Sequence, residues 1–196
     1  MVIGATLAEQ HRAPVVASLR KGDVSPGTLI ELDFSGINGI NGSYIKGTAL
    51  WFLNCGRLFV SNDGIAITSR NFEEPSPYDI FICVSGLADE VRVEFQEFLQ
   101  PRGLPLLFAQ GQAGQCIGES VLLGQLDAAL RFTFEAVVKE KRTTAPALHL
   151  QYPEEKVTVT AWNNRLNDLY ALRLVRRIRA GRSWEYESLT NKIKWV

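Results

Sequence analysis

The chain is 196 residues long with 46% hydrophobic and 21% charged residues, an ordinary soluble globular composition with length for one large or two small domains. Its formal net charge is zero, which over the whole chain argues against a nucleic-acid partner. No run approaches the roughly 18 apolar residues of a membrane span, and the first residues lack a basic stretch followed by an apolar one, so a cytoplasmic protein without a membrane partner is expected.

The zero average conceals an asymmetry. Up to Gln125 the chain carries 8 Lys and Arg against 13 Asp and Glu, and beyond it 13 against 8. An acidic half followed by a basic half hints at a basic binding module joined to an acidic domain. Cys55, Cys83 and Cys116 are odd in number and widely spaced. They are expected as small buried hydrophobes in a reducing compartment, without a disulfide framework.

In chain order, the apolar positions Leu7, Val15, Val16 and Leu19 predict a helix over 6–19, interrupted at Pro14. Thr28 to Phe34 is a short apolar run typical of a buried strand. Asn41-Gly42-Ser43 offers capping chemistry ahead of a helix over 44–53, with either Asn41 or Ser43 able to cap it. Asp63-Gly64 between two β-prone runs predicts a hairpin over 57–68, followed by a Pro-containing loop at 69–77. Residues 78–84 read as a strand, 88–99 as an amphipathic helix on Val91, Phe95 and Leu99, and 104–108 as another strand. That alternation is expected of an α/β layer domain. Gly111, Gly114 and Gly118 mark a passage out of it.

The segment from Leu32 to Ile45, with Asp33-Phe34-Ser35-Gly36 closing a strand ahead of a Ser-containing helix start, resembles the STAS domain of anti-sigma-factor antagonists. It is closer still to STAS-like proteins of unassigned function, and the likeness extends more weakly over about 5–109. The resemblance implies an α/β fold and a partner-switching serine at the position of Ser43, where phosphate would meet unpaired amides at a helix start. Asn41 stands where that family usually has Asp, and Tyr44 where Gly is common. The resemblance also implies a protein partner such as a kinase-like ATPase.

Beyond Gln125, residues 126–139 and 144–150 read as two helices, the second with Pro146 in its first turn. In 157–172, at about 100° per residue, Val159, Trp162, Leu166, Leu169 and Tyr170 share one face and are expected to pack. Thr160, Ala161, Asn164, Arg165 and Asn167 fall on or beside the opposite face, where short polar side chains with one Arg suit base edges in a major groove. Residues 174–179 and 182–186 flank Ala180-Gly181 as a hairpin with a basic tip. Between Lys156 and Arg182 there are seven basic residues and one acid, Asp168, a phosphate-binding footprint.

This order, with Leu174-Val175-Arg176-Arg177 after the helix, is similar to the winged helix-turn-helix of bacterial transcription regulators. The resemblance implies that Thr160, Asn164 and Arg165, with Asn167 beside them, face bases, and that Arg177, Arg179 and Arg182 reach the DNA backbone or minor groove. An enzyme is not expected. His11 and His149 are far apart, no metal-ligand spacing occurs, and Gly111-Gln-Ala-Gly114 is too short for a nucleotide-triphosphate loop.

The sequence therefore predicts an α/β STAS-like domain at 1–113, a linker at 114–125 and an α+β winged helix-turn-helix domain at 126–196. The expected function is that of a regulator binding double-stranded DNA, with no cofactor or metal and with a homodimer left open. The alternative is a partner-switching adaptor whose winged helix docks onto protein.

Overall fold

The computed structural model describes residues 4–21, 27–55, 80–110 and 118–195. Helix α1, Ala5–Lys21, runs through Pro14, and both Pro14 and Gln10, the residue whose carbonyl loses its amide donor, are exposed. Strand β1, Thr28–Asp33, follows the expected boundaries closely. The single helix expected over 44–53 is two: α2, Gly42–Gly47, and α3, Ala49–Cys55. Thr48 breaks it with φ −111° and ψ −93°, its hydroxyl donating to the Tyr44 carbonyl at 2.7 Å. Gly47 permits a close approach of α1 there, since a Cβ would lie 2.6 Å from that of Ala8.

Strand β2, Ile80–Ser85, is buried at every residue, the mark of a central strand covered on both faces. Helix α4, Asp89–Leu99, places Asp89 and Glu90 at the positive end of its dipole and buries Val91, Phe95 and Leu99. Strand β3 is Leu106–Ala109, and β4, Glu119–Leu123, lies inside the segment expected as a linker. Leu106–Ala109 and Ser120–Leu123 pair antiparallel, so the apolar run after Gly118 is held by a neighbouring strand. The hairpin expected at 57–68 and the loop at 69–77 lie outside the described residues.

Helix α5, Ala128–Glu140, is capped by Asp127, which accepts from the Leu130 amide at 2.8 Å. The two-residue strand β5, Arg142–Thr143, leads to α6, Ala145–Gln151, capped by Thr144. A 3₁₀ turn at Pro153–Glu155 precedes α7, Val159–Ala171, capped by Thr158. Strands β6, Val175–Ala180, and β7, Ser183–Ser188, form a hairpin, and β8, Lys192–Trp195, closes the described chain. All three helices lie within two residues of their expected bounds.

The protein is thus mixed α/β, with two sheets among the described residues. The larger has the order β1-β2-β3-β4-β8, in which β1, β2 and β3 run parallel, β4 antiparallel to β3, and β8 parallel to β4. The smaller is antiparallel with the order β5-β7-β6. Strand β8, which no sequence pattern announced, carries the chain back to the large sheet. Its Ile193 and Trp195 pack on the core while Lys192 and Lys194 both pair with Glu119 of β4.

The two faces of the large sheet bury different partners. Ile30, Ile82, Val84, Leu106 and Leu123 share a core with α1 to α4. Phe81, Cys83, Leu107 and Leu122 share theirs with Phe134, Trp162, Leu166, Tyr170 and Tyr186 from the C-terminal helices and hairpin. One continuous apolar core therefore joins the sheet to the C-terminal elements.

Among the described residues, no helix is long and apolar enough to cross a membrane.

Candidate nucleic-acid interface

Helix α7 begins at Thr158, whose hydroxyl accepts from the Ala161 amide at 3.2 Å. Trp162, Leu166, Leu169 and Tyr170 are buried on one face, as the period of the apolar positions requires. Val159, expected on that face, is instead 39% exposed, because it occupies the first helical turn beyond the edge of the core. Thr160, Asn163 and Asn164 are exposed beside it. Asn163 was not singled out from sequence, although it adjoins Asn164 and follows the buried Trp162.

The other two expected α7 residues are held from within. Arg165 is half-buried, with its guanidinium 5.5 Å from the centre of the Trp162 ring. Asn167 is also half-buried, and its Oδ1 accepts from the Tyr186 hydroxyl at 2.7 Å. This bond ties α7 to β7.

The hairpin turns at Gly181, whose φ of +63° lies in the left-handed region that favours glycine. Arg179 and Arg182 are exposed at this tip, and the Arg179 Nε–H donates to the Gly181 carbonyl at 3.0 Å. Arg177 differs. It is only 8% exposed, with its guanidinium 4.5 Å from the Tyr170 ring and 4.2 Å from the Trp184 ring. At the base of the hairpin, Arg176 donates through Nε to the Gly27 carbonyl at 2.8 Å and lies 3.6 Å from Glu187. Gly27, the residue ahead of β1, is thereby fastened to β6.

A basic residue with positive φ follows each of α5, the 3₁₀ turn and α7: Lys141 at 63°, Lys156 at 54° and, one residue beyond the Leu172 cap, Arg173 at 63°. Sequence alone gave no sign of these ends, since glycine is the usual occupant. At Arg173 the Leu174 amide bonds back to Leu169 at 3.0 Å, closing α7 and turning the chain into β6.

Tyr186 is pushed up to about 12 by burial, with nearby Arg177 pulling the other way and only partly offsetting it. A raised phenol keeps its proton in the fold, so its contribution to stability is complete below the unfolded value of 10.0 and disappears as pH rises toward about 12. The two-unit gap corresponds to about 2–3 kcal/mol. The urea midpoint of the wild type should accordingly fall more steeply over this interval than that of Tyr186→Phe, which has no proton to lose. Parallel pH profiles would show that Tyr186 titrates normally.

At the far side of the molecule, Ser43 is exposed in the first turn of α2. Asn41 performs the capping, its Oδ1 accepting from the Tyr44 amide at 3.0 Å. Asn41→Ala is expected to lower stability by about 1 kcal/mol, and Ser43→Ala by much less, in thermal melts. Equal losses would contradict the assignment of the cap.

No family model, curated protein or solved structure matches this chain. The architecture and surface chemistry described above are therefore the ground for any functional reading.

Proposed function

We propose that the chain is a non-enzymatic bacterial regulator whose C-terminal part is a winged helix-turn-helix that binds duplex DNA. The supporting observation is the succession α5-β5-α6-α7-β6-β7 with the antiparallel order β5-β7-β6, which sets exposed polar residues of α7 and exposed arginines of the adjacent hairpin outside one core. In this reading Thr160, Asn163 and Asn164 meet base edges, while Arg179 and Arg182 meet phosphates or the minor groove. Arg165 reaches the backbone from its place over Trp162. Asn167 and Arg177 serve as internal fasteners of that surface, because both are engaged by neighbouring side chains.

The N-terminal layer is proposed to be STAS-like and cytoplasmic, sensing a protein partner or phosphorylation of exposed Ser43. No cofactor or metal enters this reading. Selection of bound duplexes from a random pool tests the DNA assignment. A defined consensus is expected, altered by Asn164→Ala and kept by Arg179→Ala. Recovery of unselected sequence by all three proteins would remove the base-reading role of α7.

A second reading, docking onto protein, is favoured by Leu150, 79% exposed on α6, and by Val159 at the start of α7. Loss of partner binding on Leu150→Ser with duplex binding unchanged would separate the two surfaces.

A further inference from the structure

Three cations and three rings alternate from the buried sheet to the hairpin tip. Arg173 lies 5.4 Å from the Phe81 ring and 5.2 Å from that of Tyr170. Arg177 lies 4.5 Å from Tyr170 and 4.2 Å from Trp184, and Arg179 lies 4.9 Å from Trp184. Burial falls along this series: Phe81, Arg173, Tyr170 and Arg177 are buried, Trp184 is half-buried and Arg179 is exposed.

Strand register builds the outer half of the ladder. Arg177 pairs across the hairpin with Tyr186 and Arg179 with Trp184, so all four side chains stand on one face. Two arginines two residues apart would repel in an open arrangement. Here the electron-rich faces of Trp184 receive both, and the Nε–H bond from Arg179 to Gly181 fixes the outermost guanidinium.

We infer that Trp184 is a positioning residue that holds the Arg179 guanidinium in place for an anionic partner. It is the outermost ring of a cation–π ladder rooted in the large sheet at Phe81. This inference rests on the proposed duplex-DNA reading for its partner. Preorganising the guanidinium removes part of the ordering cost that a free arginine meets on binding. A lysine at position 179 would keep the charge but lose the planar stacking group.

The test measures duplex affinity against salt for the wild type, Arg179→Lys, Trp184→Leu and the double variant, with thermal melts confirming that each is folded. Trp184→Leu should weaken binding roughly two- to fivefold, the range of an exposed cation–π contact. Its log–log salt slope should become shallower by up to about 0.9, one phosphate contact. Arg179→Lys should lose affinity in the wild-type background and nothing further in Trp184→Leu. Additive losses with an unchanged slope would overturn the positioning role.

A second readout stands apart from DNA binding. The Arg179 Nε–H resonance should be observable and slow to exchange with water in the wild type, and should broaden in Trp184→Leu while Arg182 is unaffected. If the wild type bound no duplex, the DNA reading would fail while this resonance still decided the ladder. Identical Arg179 signals in wild type and Trp184→Leu would overturn it.

Discussion

Replacing Phe81 by Ala is expected to destabilise the chain by about 3–5 kcal/mol and to unfold the large sheet and the C-terminal helices together. Phe81 belongs to the central strand β2, yet its ring lies 6.3 Å from that of Tyr170 on α7, within the core that also contains Trp162 and Tyr186. The cavity would therefore open between elements that are distant in sequence. Urea unfolding followed by far-UV circular dichroism and by tryptophan fluorescence checks this. Three of the four tryptophans, at 162, 184 and 195, report on the C-terminal part, and Trp51 on the other face of the sheet. Coincident transitions shifted by the same amount are expected. Separate transitions, with only one of them shifted, would show that the shared core does not couple the two parts.

The second large effect is on binding. Arg179→Ala and Arg182→Ala are each expected to weaken duplex binding about tenfold at roughly 0.1 M salt, the loss associated with one phosphate contact. The double variant should lose about the product and make the salt slope shallower by about 1.8. Both residues are exposed at the hairpin tip, so melting temperature should stay close to that of the wild type. Arg177→Ala should behave differently, lowering stability as well, because its guanidinium is stacked between Tyr170 and Trp184 in the interior. Equal behaviour of all three arginines in melting and in binding would contradict the distinction between contacts and fasteners.

That distinction marks where the sequence was readable and where it was not. The helix around Trp162, Leu166, Leu169 and Tyr170 was legible because burial on one face imposes a period of 3.6, and the hairpin because Gly181 punctuates two β-prone runs. The winged-helix resemblance placed Arg177 with Arg179 and Arg182 by position, since neither position along a strand nor a sum of charges carries information about which guanidinium is enclosed by rings. Asn167 was read by helical position alone, and the Tyr186 hydroxyl that occupies it comes from 19 residues away.

Non-local pairing was equally invisible. Glu119–Leu123 follows a Gly-rich passage and was expected as linker, yet it pairs with β3 on one side and β8 on the other. The lysines of β8 alternate with Ile193 and Trp195 over only four residues, too short a run for periodicity to declare a strand. The break between α2 and α3 depends on the Thr48 hydroxyl and on the approach of Ala8 to Gly47, neither of which a 3.6-residue pattern contains.

The claim that the exposed face of α7 and the hairpin tip form a duplex-DNA surface is tested most directly by the salt dependence of wild-type binding to a mixed-sequence DNA duplex. Exposed Lys156, just ahead of α7, adds a fourth phosphate contact to those of Arg165, Arg179 and Arg182 in this reading, and four contacts predict measurable binding at low salt with a log–log slope of about −3.6. Absence of binding to any duplex at low salt would contradict the claim.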